Sequence, residues 1–157
     1  MPAFYSMNAI AQLLTQDAIV LTAKPVTKEA LFAEAAKALG QRLGVSEAMI
    51  HDCLKMREQL GSTGLGQGVG IPHGRLKGLR QAAGMFYRLN TPIPFDAPDN
   101  RPVDLAFFLL VPEQSTEEHL QLLSELAQHF SDPELREKLR SSTEAAEVLT
   151  LFASNNV

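Results

Sequence analysis

The chain has 157 residues, 45% hydrophobic and 20% charged, the composition of one globular domain with a sizeable core and no extensive disorder. Its 14 basic and 18 acidic residues give a net charge of −4, so nothing draws it toward nucleic acid or anionic lipid. The single cysteine, Cys53, excludes an intramolecular disulfide and a thiolate metal cluster, and its helical neighbours make it a small core residue. The N-terminus has no positively charged start and no cleavage site, and no apolar run approaches the roughly 18 residues of a membrane span. The expectation is one cytoplasmic domain over residues 1–157, with a core of about 6–153.

In chain order, Ser6 caps a short helix over Asn8 to Leu14, and the β-branched run Ile19 to Thr22 reads as a strand. Thr27 caps a helix from Lys28 to Leu43, with Leu31, Ala35, Ala38, Leu39 and Leu43 at helical spacing and Gly44 as its stop. Ser46 opens the next, placing Met49, Ile50, Cys53 and Leu54 on one side and Arg57 and Glu58 at its end. A glycine-rich loop follows, then a basic turn over Arg75 to Arg80 and a strand over Ala82 to Leu89. The proline-rich stretch from Thr91 to Asn100 reads as a connecting loop. VDLAFFLLV, Val103 to Val111, is the most continuous apolar run and reads as a strand buried on both faces.

Ser115 and Glu118 have the spacing of a capping box before a helix to about Phe130, with Leu123, Leu126, Ala127 and Phe130 inward and Glu125 and Gln128 outward. Asp132-Pro133 starts a helix through Leu139. Ser141 and Glu144 suggest a second capping box before a last helix anchored by Val148, Leu149 and Phe152, after which Ser154 to Val157 fray. The expected fold is α/β, a single domain with a mixed central β-sheet flanked by helices on both sides, in which the Ala82 and Val103 strands pair directly.

The stretch Gly61 to Gly74, GSTGLGQGVGIPHG, holds six glycines, two hydroxyl residues, one proline and one histidine, His73. Such a backbone can aim its N–H groups at one point and form an anion-binding concavity from Gly61, Ser62, Thr63, Gly64 and Gly66, with the Ser62 and Thr63 hydroxyls as further donors. Phosphate suits it. Pro72 stiffens the approach to His73, and Gly74 keeps space open beside the ring. A Walker loop is excluded because Arg75 and Leu76 follow the last glycine, and a dinucleotide fingerprint because the glycines alternate without an acidic residue about 20 positions on. By composition alone, an exposed loop carrying an incidental histidine fits as well. His51 and His129 lack metal-ligand spacing and read as structural or exposed, and no Gly-x-Ser-x-Gly elbow is present.

Arg57-Glu58, the glycine stretch with its Ile-Pro-His, and the basic residue after it resemble the active-site segment of the fructose-mannitol (type 2) EIIA domains of the bacterial phosphotransferase system, above all their single-domain nitrogen-regulatory branch. The resemblance extends over nearly the whole chain, with Gly70 where the family usually has alanine. It implies that His73 accepts a phosphoryl group at Nε2 while Nδ1 is held by a hydrogen bond. It further implies that His119 is the second active-site histidine and Arg57 the active-site arginine. A neutral imidazole suits reversible phosphoryl transfer, and no metal or cofactor is called for.

The implied partners are an HPr-like phosphocarrier, itself charged from phosphoenolpyruvate through enzyme I, and then either regulatory targets such as potassium transport systems and sensor kinases or a separate EIIB in sugar uptake. Arg75, Lys77 and Arg80 form a basic patch that either holds an acidic partner edge or is merely solvated. A module that binds a small anion without covalent chemistry is the alternative of another class.

Overall fold

The computed structural model describes residues 9–155. In chain order they form α1 (Ala9–Leu13), a 3-10 turn (Gln16–Ala18), β1 (Ile19–Ala23), α2 (Lys28–Leu43), α3 (Glu47–Leu60), β2 (Gly64–Gly66), β3 (Val69–Gly70), β4 (His73–Leu76), β5 (Ala83–Ile93), β6 (Val103–Pro112), α4 (Glu117–Ser131), α5 (Pro133–Ser141) and α6 (Ala145–Ser154).

The apolar run VDLAFFLLVP becomes β6, buried along its length except at Asp104 and Pro112. Successive side chains of a strand point to opposite faces, so β6 serves two cores at once. Phe108 meets Phe32 of α2 edge-on with ring centroids 5.5 Å apart, and Phe107 meets Phe152 of α6 at 6.0 Å. The sheet therefore lies between two helical layers, α2 with α3 and the group α1, α4, α5 and α6. Its order is β1-β5-β6-β3-β2, with β4 also on β6. β5 runs antiparallel to β6, as their neighbouring positions in the sequence suggest, whereas β1 on β5 and both β3 and β4 on β6 are parallel. Among the described residues no helix is long and apolar enough to cross a membrane.

Local signals set most helix boundaries. Thr27 accepts from Ala30 N at 3.1 Å, Ser46 from Met49 N at 3.3 Å and Asp132 from Glu134 N at 2.9 Å, each satisfying a donor that the first turn leaves unpaired. Gly44 ends α2 in the left-handed region at φ 68°.

Several expectations are corrected. Ser6 and Asn8 lie outside the described residues. β5 continues through Thr91-Pro92-Ile93, because the β5–β6 ladder is irregular between Arg88 and Ile93 and Pro92 faces solvent there without needing a ladder donor. Thr116, not Ser115, is the N-cap of α4, and Ser115 Oγ reaches only the Glu118 carboxylate, at 3.3 Å. Ser141 closes α5, and the capping box of α6 joins Glu144 to Glu147. Met49 is exposed.

The buried stripe of α4 is Leu122, Glu125, Leu126, His129 and Phe130, so Ala127 faces out and Glu125 faces in. Glu125 accepts from Ile10 N at 2.9 Å and stands 3.5 Å from Nε2 of His129, which is 0% exposed. Asn155 Nδ2 lies 2.9 Å from His129 Nδ1, so the chain does not loosen at Ser154 and is tied down as far as Asn155.

Candidate functional site

β3 and β4 are two pieces of one strand along β6. Val69 pairs with Leu105, Gly70 with Ala106 and His73 with Leu109, all at the same offset, so the ladder resumes after Ile71-Pro72 without slipping. Proline offers no N–H, but the Pro72 carbonyl accepts from Leu109 N at 2.9 Å and keeps the two strands together. His73 is therefore a strand residue, 9% exposed, and not a loop residue as its glycine-rich context suggests.

The glycine stretch folds back on itself as the β2–β3 hairpin. Its turn, Gly66-Gln67-Gly68, takes φ of 90°, 59° and 80°, a left-handed path that glycine permits at either side. Gln67 N donates to Asp99 Oδ2 at 2.9 Å, and the Gln67 carbonyl accepts from Arg140 Nη2 at 2.7 Å. The donors expected to make an open anion nest are used inside the fold. Ser62 Oγ donates to the Phe95 carbonyl at 2.7 Å and accepts from Gly64 N at 3.1 Å, while Thr63 N and Oγ1 donate to the Glu58 carboxylate at 3.0 and 2.6 Å.

Gly74 also has another purpose than the one its sequence suggests. A Cβ there would stand 2.5 Å from Cys53 Sγ, so the glycine admits α3 against β4, and Cys53 Sγ donates to the Arg75 carbonyl at 3.2 Å. At Gly70 an added Cβ would stand 2.9 Å from the Phe95 ring, which fills the space that the more usual alanine would take.

Around His73 the structure brings together the residues singled out from sequence. Nδ1 lies 2.7 Å from the Ile71 carbonyl. A carbonyl only accepts, so the proton sits on Nδ1 and Nε2 keeps its lone pair. His119, in the first turn of α4, packs edge-on against this ring with centroids 5.4 Å apart, and its buried Nε2 has no partner among the described residues. Arg57, in the last turn of α3, donates from Nη1 to the Gly61 carbonyl at 2.8 Å, so the end of α3 and the start of the hairpin fix its guanidinium. It has no ion pair to Glu58 or Asp52; Glu58 pairs instead with Lys28 at 2.9 Å.

Burial pushes His73 below the ordinary imidazole value of 6.5, the hydrogen bond to Ile71 opposes this, Arg57 adds to it and Glu58 offsets it. His119 is also held below 6.5, first by burial and then by His73, Arg75 and Arg57. Arg75 thus bears on the site. Arg75, Lys77 and Arg80 are all exposed, and no contact ties Lys77 or Arg80 to the histidines.

Local patterns gave no notice of Lys28 or of the work Glu58 does, because the pair joins residues 30 positions apart. Among the described residues no group of three or more His, Cys, Asp or Glu is placed to hold a metal.

The chain thus places two histidines ring to edge, with Arg57 and Arg75 bearing on them, on a mixed sheet that lies between helices. The chain belongs to the EIIA 2 family of the phosphoenolpyruvate-dependent sugar phosphotransferase system, whose model matches residues 12–155. Within it, the chain is 40% identical to the nitrogen regulatory protein of Klebsiella oxytoca over 153 residues, 95% of this chain and 92% of that one. The crystal structure of nitrogen regulatory protein IIA-Ntr from Neisseria meningitidis superimposes with a TM-score of 0.88 at 48% identity, covering 91% of this chain and 98% of that one. A further relative, 32% identical over 152 residues, is the 2-O-alpha-mannosyl-D-glycerate-specific EIIABC component of Escherichia coli, of which 22% is matched by 92% of this chain.

Proposed function

We propose that the chain is a phosphocarrier of the nitrogen-regulatory kind, which takes a phosphoryl group onto Nε2 of His73 from an HPr-like protein. The observation that carries this is the 2.7 Å contact from His73 Nδ1 to the Ile71 carbonyl, which leaves Nε2 unprotonated on a ring that burial also keeps neutral. In the transfer, the Nε2 lone pair forms a bond to phosphorus as the bond to the donor breaks, and that electron pair leaves with the donor. Nδ1 keeps its proton throughout. The protein's part is positioning and charge: Arg57 and Arg75 offset the phosphoryl charge, and the unpartnered Nε2 of His119 is available to a phosphoryl oxygen.

The nitrogen-regulatory assignment rests on likeness to the Klebsiella and Neisseria proteins. Regulatory target proteins are the proposed readers of the phosphorylation state. Likeness to an EIIABC component supports a second destination, a separate EIIB chain, for the same phosphoryl group. Intact-mass measurement after incubation with phosphoenolpyruvate, enzyme I and an HPr-type carrier tests the reading. One acid-labile phosphoryl adduct on wild type, absent from His73→Ala, supports it. No adduct while the carrier itself is phosphorylated rejects it, and anion occupancy without a mass change favours a non-covalent binding module.

A further inference from the structure

A series of hydrogen bonds leads from the cleft between α2 and α3 to the imidazole of His73. Lys28 Nζ donates to Glu58 Oε2 at 2.9 Å. The same carboxylate accepts from Thr63 N at 3.0 Å and Thr63 Oγ1 at 2.6 Å. The Thr63 carbonyl accepts from Ile71 N at 3.0 Å, and the Ile71 carbonyl is the acceptor 2.7 Å from His73 Nδ1. Each link restrains the residue whose next polar group makes the following one.

The near end of this relay is well anchored. The Lys28 and Glu58 side chains are 17% and 8% exposed, and Lys28 Nζ also lies 4.4 Å from the centroid of the Phe95 ring. Phe95 is buried, receives Ser62 Oγ at its carbonyl and fills the space beside Gly70. Residues 62 and 63 are thus gripped from both sides, by Phe95 and by Glu58. With the hairpin so held, the Ile71 carbonyl has one position, and the proton of His73 has one nitrogen to occupy.

We propose that Glu58, clamped by Lys28, is a positioning residue for phosphoryl transfer at His73: through Thr63 it holds the Ile71 carbonyl that keeps the proton on Nδ1 and the lone pair on Nε2. The carboxylate accepts from three donors, Lys28 Nζ and Thr63 N on one oxygen and the Thr63 hydroxyl on the other. Glutamine is the same size but has no charge to pair with Lys28, and its amide N–H2 can face Thr63 Oγ1 only if that hydroxyl turns from donor to acceptor, so the clamp is weakened at both ends. The Glu58 charge also opposes the effect of Arg57 on His73. The kinetic part of the proposal rests on His73 being the phosphoryl acceptor; the tautomer part is read without any phosphoryl donor.

The test uses the full chain as wild type, Glu58→Gln, Lys28→Met and Lys28→Arg. Long-range proton–nitrogen NMR at pH 7.5 reports the tautomer of His73, and rapid-quench kinetics with the phosphorylated HPr-type carrier separates kcat from KM. Wild type should show the Nδ1–H form, while Glu58→Gln and Lys28→Met should show a mixture with Nε2–H. Their kcat should fall about ten- to a hundredfold at unchanged KM, the loss expected when a reacting group is displaced but the partner still docks. Lys28→Arg, which keeps a cation against Glu58, should recover most of the rate and the wild-type tautomer.

Folded Glu58→Gln and Lys28→Met chains with the wild-type tautomer and kcat would overturn the proposal. If Glu58→Gln does not fold, the contrast between Lys28→Met and Lys28→Arg decides in the same way. A wild-type chain that takes up no phosphoryl group would reject the phosphocarrier reading and the kinetic part with it. The tautomer shift would then decide by itself whether Glu58 positions the ring.

Discussion

At the scale of residues, the environment of His73 sets how the site responds to pH. Burial and Arg57 lower its proton affinity more than the Ile71 hydrogen bond and Glu58 raise it, so Nε2 remains a free nucleophile below the ordinary imidazole value of 6.5. The rate of phosphoryl uptake should be flat from pH 8 to 6.5 and decline only at more acid pH, by about tenfold per pH unit beneath the folded pKa. Stopped-flow or quench kinetics on the acceptor side reads this; a decline that sets in above pH 6.5 would contradict the lowered affinity.

Stability must follow the same linkage. Between the folded pKa and 6.5 the unfolded chain binds more protons than the folded one, so stability falls as pH drops through this window and is steady below it. Urea unfolding at a series of pH values should show that slope reduced in His73→Gln. His119→Ala should keep the fold and lose roughly a hundred- to a thousandfold in transfer rate, the usual cost of removing one well-placed group from a transition state. Intact-mass time courses measure it. Arg57 and His73 stand out in the sequence because one nearly contiguous motif carries both, whereas His119, on a separate helix, stands out only through the family resemblance. Glu58 and Lys28 do not, since their importance arises only when α2 is laid beside α3.

Elements come next, and here close approach decides more than propensity. Gly74→Ala places a methyl group 2.5 Å from Cys53 Sγ, between α3 and β4, and should destabilise the chain by about 1–3 kcal/mol, as overpacking does. Cys53→Ala in the same chain should relieve most of this, because the two sites share one contact; chemical denaturation of the single and double variants checks it. On α4, Glu125→Ala removes the acceptor of Ile10 N and the neighbour of His129 Nε2. It should cost about 1–3 kcal/mol and raise hydrogen exchange in α1 ahead of the rest of the chain.

Hydrophobic spacing misreads this helix by one position. Glu125 and His129 are polar yet sit 3.5 Å apart in the buried stripe, and a buried polar pair is invisible to a pattern of apolar residues. The capping signals are likewise correct in kind and displaced in place. Serine followed by glutamate three residues on marks a nearby helix start, while packing of the flanking chain selects the residue that serves as cap.

For the molecule as a whole, phosphorylation changes surface charge at one point. A phosphoryl group on His73 would add about −1.5 to −2 charges beside the two arginines, Arg57 and Arg75, that bear on the histidines. Proteins retained from a cell extract should therefore differ between the phosphorylated chain and His73→Ala, read by affinity capture and mass spectrometry with both forms side by side. Identical captured sets would count against a regulatory switch.

The two-faced central strand, the pairing of its neighbour and most of the helices are legible in the sequence, because local periodicity and caps are written within a few turns of chain, and one nearly contiguous motif marks Arg57 and His73 as candidates. Tertiary packing alone makes the glycine stretch a closed hairpin with its hydroxyls spent, sets His73 on a strand, and ties Lys28 and Glu58 to Thr63 of that hairpin. Those facts turn on contacts of Ser62 with Phe95, His73 with Leu109 and Lys28 with Glu58, which join residues far apart in the chain and exist only once the helices and strands have packed, so no local pattern encodes them.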